Sequence, residues 1–432
     1  MLIPIIIFLI TYAFIASEKV DKTIAAILGA GAVIMFHQIP YEEALHLVDL
    51  NVIFLLIGMM VIVSVLSSAG LFEWIAIKLA RIAKGEGLPI IAMLLLATAV
   101  LSAFLDNVTT VILIAPITIL LAQILEINAV PILVLEAVFS NIGGTATLVG
   151  DPPNILIGSQ TSLSFNDFLL NLAPVILIVL LASLIVTHLV LHRSVKTTKA
   201  AKERIMKSKP ELAIIDPVLL KKGLIVFGLV LAGFFAGRAL NIEPGIVALS
   251  GAVLMILICR ADVHHALVHV EWNTILFFVG LFMLIGSLEV KGVFESLGEL
   301  VLHLCGGNLL LTVIVVLWFS AIASAVVDNI PLVMAMIPLV KSIVPVFAQQ
   351  MALTAPEQIH VQIAEPLLWA LALGACLGGN GSLVGASANV VIAQIARRNN
   401  YTMSFWQFTR FGFPFMILSL VISSLYLWLR YF

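Results

Sequence analysis

Charge is what this chain has least of. Only 11% of its 432 residues are charged, with 22 Lys and Arg against 24 Asp and Glu, while 62% are hydrophobic. The mean hydropathy is +1.18. A water-soluble domain of this length would need far more charge to cover its surface. The formal net charge of −2 gives no basic field for a polyanion, and nucleic acid is not expected as a partner. Cysteine is equally scarce: Cys259, Cys305 and Cys376 are too few and too scattered for a disulfide framework or a metal finger. No cofactor or metal is expected. No GxxxxGK[ST] loop occurs, so the chain carries no nucleotide-driven motor of its own. No GxGD motif occurs either, which argues against an intramembrane aspartyl protease, and no enzymatic activity is expected. The apolar stretches are continuous rather than alternating, which excludes a transmembrane β-barrel. No basic residue precedes the first apolar block, Leu2 to Ala16, whereas Lys19 and Lys22 follow it. That is the reverse of a secretory signal, so the block reads as a retained helix.

What the chain has is apolar blocks of roughly 15 to 25 residues, the length of a bilayer-spanning helix, and an internal repeat. At an offset of 222, LVDLNVIFLLIGMMVIVSVLSSAGLFEW (47–74) lies over HVEWNTILFFVGLFMLIGSLEVKGVFES (269–296), and SAFLDNVTTVILIAPI (102–117) over SAVVDNIPLVMAMIPL (324–339). Further on the offset is 235, where GGTATLVGDPPN (143–154) lies over GGNGSLVGASAN (378–389). A longer loop near Val344–Glu365 accounts for the change. In the first half, crossings are expected at about 2–17, 24–37, 51–70, 131–158 and 168–191. A helix–break–helix piece at about 88–125 reads as a re-entrant hairpin.

Five is odd, so the second copy is expected to be inverted. The fold class is therefore an all-α polytopic membrane protein of two inverted-topology repeats, with about ten transmembrane helices, two re-entrant hairpins and two unwound helices. The first repeat is expected over 1–192 and the second over 223–432, with its hairpin at about 309–343 and its broken helix at about 366–396. Between them, 193–222 holds nine Lys and Arg and should be cytoplasmic. Both termini then lie outside. This topology puts eighteen Lys and Arg inside and three outside, with Arg238 near the outer end of a helix.

Broken helices at membrane depth are tolerated only where protein or a water-filled cavity surrounds them. Gly143-Gly144 and Pro152-Pro153 are expected to unwind a helix there, exposing carbonyls and a half-helix N-terminus to ions and polar groups. Asn141, Thr145, Thr147, Asp151 and Asn154 supply side chains around this break. Gly378, Gly379, Asn380, Ser382 and Asn389 repeat it in the second half. The hairpin breaks add Asp106, Asn107, Thr109 and Thr110, matched by Asp328 and Asn329. Four breaks in two matched pairs point to one central site. Glycine alone often means only close helix packing, but an acid in mid-membrane usually marks an ion or substrate path. Asp106, Asp151 and Asp328 are thus the candidate proton carriers.

Glu136, early in the fourth crossing, reads either as facing the cavity or as lying at the cytoplasmic interface. Cys376, which falls on Asn141 in the repeat, reads as a small packing residue. Glu289 marks a helix end and His188 an interface. The cluster His264, His265 and His269 lies on an inside loop without an acid at ligating spacing.

DNVTT (106–110) and SNIGGTATLVGDPPN (140–154) resemble the ion transporter superfamily, in its arsenite-permease and P-protein (ArsB-type) branch. The likeness covers nearly the whole chain. It implies ten crossings, two re-entrant hairpins, a scaffold part and a mobile transport part, and a site where hairpin tips meet unwound helices. A homodimer is also implied. DNVTT looks more like the P-protein subgroup than like enterobacterial arsenite pumps.

The three acids have no evident Lys or Arg partner in the sequence, which disfavours a di- or tricarboxylate in a low-dielectric cavity. Arsenite and antimonite, neutral as their acids, would not be repelled. The expectation is arsenite/antimonite efflux through the plasma (inner) membrane, driven by proton exchange unless a separate cytoplasmic ATPase partner binds and drives it. A sodium/proton antiporter, or another ion-coupled anion transporter on the same fold, is the alternative.

Overall fold

The computed structural model describes residues 2–17, 19–161, 163–192, 195 and 197–432. Among these, all regular structure is helical. The principal helices of the first half are α1 (Leu2–Ser17), α2 (Lys22–Met35), α3 (Leu50–Ser68), α4 (Leu71–Ile82), α5 (Gly87–Ser102), α6 (Asn107–Leu125), α7 (Ala129–Gly144), α8 (Pro152–Gln160) and α9 (Ala173–Leu191). Those of the second half are α10 (Pro217–Leu240), α11 (Pro244–Cys259), α12 (Trp272–Val290), α13 (Val293–Leu304), α14 (Leu309–Val326), α15 (Asn329–Gln350), α16 (Glu365–Gly378), α17 (Ser387–Arg398) and α18 (Phe405–Tyr431). Nine helices among the described residues are long and apolar enough to cross a membrane, and shorter apolar helices such as α2, α5, α7 and α11 accompany them.

Helix starts keep the repeat's offsets. Lys22 and Pro244, Leu50 and Trp272, Leu71 and Val293, Gly87 and Leu309, and Asn107 and Asn329 each open a helix, 222 residues apart. Pro152 and Ser387 do so 235 apart. The segment between the halves is shorter than the charge pattern suggests. Helix α10 begins at Pro217, so Lys221 and Lys222 belong to its first turns. Arg193, Ser194 and Lys196 lie outside the described residues.

Packing exchanges partners between the halves. A Cβ on Gly58 of α3 would lie 2.5 Å from the backbone of Ala248 in α11, and one on Gly280 of α12 would lie 2.7 Å from the backbone of Ala26 in α2. These two crossings are repeat mates, and only a residue without a side chain lets the backbones meet. Two hydrogen bonds pin the same crossings: Gly245 N–H donates to Asn51 Oδ1 at 2.6 Å, and Thr23 Oγ1 donates to the Asn273 carbonyl at 3.0 Å. A second group forms where α5, α6 and α7 pack together, with α14, α15 and α16 as their mates. Helix α17 joins α6 and α7, so the broken segments of both halves meet.

The glycine pairs have a different cause from the one expected. Gly143 and Gly144 are the last residues of α7, inside the helix. A Cβ on Gly143 would sit 2.0 Å from the Ala99 carbonyl of α5, and one on Gly144 2.5 Å from the Gly150 carbonyl. Gly378 mirrors this, 2.5 Å from Ala321 of α14. These glycines allow helices and loops to touch. The chain leaves the helix only after Thr145 and re-enters one at Pro152.

Candidate functional site

Each hairpin break is an N-cap. Asp106 caps α6, its Oδ1 accepting from Thr109 N–H at 2.9 Å and its Oδ2 accepting from the Thr109 hydroxyl. The hydroxyl of Thr110 donates to the Asp106 carbonyl at 2.9 Å. Asp328 caps α15, its Oδ1 accepting from Ile330 N–H at 3.2 Å. Both carboxylates spend one oxygen on backbone donors that would otherwise be unsatisfied.

Asp151 occupies the N-cap position of α8 but makes no such bond. The two residues that follow are Pro152 and Pro153, so the N–H groups an N-cap side chain would meet first are missing. The Asn154 N–H goes instead to the Asp151 carbonyl, at 3.0 Å. The double proline therefore releases the carboxylate from capping duty. Its Oδ1 accepts from Asn107 Nδ2 at 3.1 Å and from Asn329 Nδ2 at 3.5 Å, one asparagine from each hairpin tip. Its Oδ2 has no hydrogen-bond partner among the described residues, and the residue is fully buried. A buried charge left so incomplete is costly unless something else completes it.

A small cavity of about 20 Å³ lies against Asp151, lined also by Asp106, Asn107, Glu271, Asn329 and Ser387. That is room for about one water or one small ion. Beyond it opens a vestibule of about 440 Å³ that shares Val108, Glu271, Thr274 and Ser387 with the cavity. Burial pushes the Glu271 carboxyl up to about 7; the Asp106 charge adds to the rise, and the Thr274 hydroxyl and Lys22 oppose it.

The remaining polar residues form the frame. Asn141 accepts from Asn107 Nδ2 at 3.1 Å and donates to Asn380 Oδ1 at 2.9 Å and to Asn389 Oδ1 at 3.1 Å, tying the two halves together. Asn154 donates to the carbonyls of Thr145 and Thr147 at 3.0 and 2.8 Å, and Asn389 to those of Gly379 and Ser382 at 2.8 and 2.9 Å. Each thus holds its own broken segment in shape. Thr145 Oγ1 donates to the Asn141 carbonyl at 2.7 Å. The hydroxyls of Thr147 and Ser382 donate to the repeat-mated carbonyls of Ala103 and Ala325. Asp151, Asn107, Asn329 and Asp106 therefore surround one cavity. Asn141, Asn380 and Asn389 brace it from behind, and Asp328 stands at the vestibule.

A family model for citrate transporters matches residues 12–364. The chain belongs to that family. Like it, this citrate-transporter-family chain is a membrane-embedded secondary transporter, not an enzyme. It is 43% identical to a 46 kDa membrane protein of Mycobacterium leprae over 99% of this chain and 98% of that one. It is 33% identical to the P protein of Homo sapiens over 96% of this chain and 58% of that one. In fold it is similar to the YdaH transporter of Alcanivorax borkumensis, with a TM-score of 0.61 at 11% identity, covering 92% of this chain and 88% of that one. The family match, together with the likeness to the P protein, places the chain in the wider ion transporter superfamily.

Three sequence readings need correction. Asp328 does have a cation: Lys22 Nζ donates to its Oδ2 at 2.7 Å. Cys376 does more than pack, because its Sγ lies 3.5 Å from Asn154 Oδ1 in hydrogen-bonding geometry. Glu136 does not line the Asp151 cavity; it is buried, accepting from Thr118 Oγ1 at 3.0 Å. Glu271 was missed, although it is the repeat mate of Asp49 and both precede the first turn of a long helix.

Proposed function

We propose that this transporter is coupled to a monovalent cation, a proton or a sodium ion, held at Asp151. The observation that carries the reading is the Asp151 carboxylate: buried, released from capping by two prolines, and one oxygen short of partners beside a cavity of single-ion size. The halves act as inverted repeats, with alternating access around this site. With 193–222 cytoplasmic and both termini outside the plasma membrane, the Lys22 and Glu271 vestibule opens to the cytoplasm. A homodimer and an ATPase partner remain part of this proposal rather than of the fold.

For the substrate, the neutral amides of Asn107 and Asn329 among the lining support a small hydroxylated solute, and we carry forward arsenite and antimonite efflux by proton exchange. One observation favours a second reading. Lys22 puts a positive charge in the vestibule, which removes part of the electrostatic objection to a carboxylate, and the family takes its description from citrate. Uptake into inverted vesicles separates the two, with arsenite, antimonite, citrate and sodium each offered with and without a proton gradient. Gradient-dependent arsenite uptake is the expected result. Citrate uptake without arsenite uptake would replace the first reading with the second. Sodium flux that dissipates the gradient with neither solute would leave an antiporter.

A further inference from the structure

The two hairpin tips solve the same problem with different chemistry. In the first half the second carboxylate oxygen of Asp106 is satisfied by the Thr109 hydroxyl. At the matching position of the second half stands Pro331, which has neither hydroxyl nor N–H. Asp328 Oδ2 takes its partners from elsewhere: Lys22 Nζ at 2.7 Å and Ser387 Oγ at 2.9 Å. Lys22 also donates to Ser387 Oγ at 2.7 Å, closing a triangle, and its ammonium lies 5.0 Å from the centre of the Phe277 ring. The repeat mate of Lys22 is Pro244, so no lysine stands at the equivalent place for the first-half tip.

The triangle bridges two packing groups. Lys22 opens α2, which packs on α1 and α12. Asp328 caps α15, and Ser387 opens α17, which packs on α6 and α7. Ser387 also lines the Asp151 cavity. The carboxylates that face the ammonium's surroundings are Asp21, Glu271 and Asp328; Asp21 is engaged in capping α2 through Thr23 and Ile24 N–H. An excess of acid around one lysine makes this a place where a free cation and the ammonium compete for the same oxygen.

We propose that Asp328 and Ser387 form a second monovalent-cation site, and that Lys22 fills it in this conformation as a tethered cation. The ammonium supplies the charge that the missing threonine cannot. When the two packing groups separate, Lys22 is drawn off and a free cation takes its place. This deepens the coupling reading above, since it assigns the vestibule acid a turn in the same cycle, but it stands on its own contacts.

The test is cation binding by the purified full chain in nanodiscs at fixed pH. ²²Na⁺ is counted by scintillation proximity, and protons taken up are counted in unbuffered samples. Lys22→Met should gain about one bound cation per chain, or bind it about ten-fold more tightly, because a charge in direct contact with the carboxylate is gone. Lys22→Arg should return the wild-type value, and Asp328→Asn added to Lys22→Met should erase the gain. Ser387→Ala added to Lys22→Met should weaken the gain, because it removes one of the two oxygens offered to the cation, and Lys22→Gln serves if Lys22→Met does not fold. Folded Lys22→Met that takes up no more of either cation than wild type would overturn the proposal, as would a gain that survives Asp328→Asn. Asp151→Asn measured alongside reports on the coupling site separately. Its loss of binding, or failure to lose it, leaves the Asp328-dependent gain to be read by itself.

Discussion

The broken segment of the first half and that of the second are built on one plan and carry different chemistry. Both close a buried helix with a glycine, Gly143 or Gly378, that touches a neighbouring backbone, and both re-enter a helix nine residues after it, at Pro152 and Ser387. Both are held open by an asparagine, Asn154 or Asn389, that donates to two loop carbonyls. Yet the residue before re-entry is Asp151 in one and Ala386 in the other, and the prolines that free Asp151 from capping are Ser387 and Ala388 in the second copy. The two copies share what the backbone requires and differ in where they place charge. The first copy keeps an incompletely partnered acid; the second keeps a hydroxyl that reaches Asp328 and Lys22.

The largest effect that would test this division comes from Asp151→Asn. The variant should fold, since an amide can still bond to Asn107 and Asn329, but gradient-driven transport should fall by about ten- to a hundredfold, the worth of one charge-assisted contact. Ala386→Asp in the same background should not restore it, because Ser387 and Ala388 retain the N–H groups that would recapture the new carboxylate as a cap. Initial rates in vesicles check both. Wild-type rates in Asp151→Asn, or rescue by Ala386→Asp, would mean that the two breaks are interchangeable.

A smaller effect separates packing from chemistry. Gly143→Ala and Gly378→Ala should each lower stability by about 1–3 kcal/mol, because a methyl group must be accommodated by backbone rather than by a side chain that can turn away. Gly143 should be the worse of the two, since its Cβ would lie 2.0 Å from the Ala99 carbonyl, against 2.5 Å at Gly378. Gly228, with nothing within 4 Å, is the control, and its change to alanine should be neutral or stabilising by up to about 1 kcal/mol. Thermal unfolding in detergent gives the order. Equal tolerance at Gly143 and Gly228 would return the glycine pairs to the role of helix breakers.

Much of this frame was legible in the sequence, and the reason is periodic. Helix starts fall at fixed offsets, so self-comparison located the breaks to within a few residues and put Asp106, Asp151 and Asp328 on them. The roles of the glycines were not legible, because a glycine that bends a chain and one that admits a neighbour look alike until the neighbour is placed. Nor was Lys22, whose partner is 306 residues away. Counted with the inside loops by charge, it reaches back to an acid only because α2 packs on α12. Glu271 was hidden for a milder reason. Its repeat mate is an aspartate, and the two do not align as identical letters.

The smallest expected effect lies where the halves nearly agree. Asn141 and Cys376 are mates, and each reaches across to the other half's bracing asparagine: Asn141 to Asn389 at 3.1 Å, Cys376 to Asn154 at 3.5 Å. Asn141 makes three hydrogen bonds and Cys376 one, and a thiol is a weak donor. Truncating Asn141 to alanine leaves several buried partners unsatisfied, about 1–3 kcal/mol for each donor or acceptor that finds no substitute. Cys376→Ala removes a single weak bond and a small volume, so its cost should stay below about 1 kcal/mol, and Cys376→Ser should recover it by restoring a better donor. Paired melting curves for the three variants give the comparison directly. If Cys376→Ala proved as damaging as Asn141→Ala, the thiol would be bracing the site as strongly as the amide, and the two halves would be closer to chemical equivalence than their carboxylates imply.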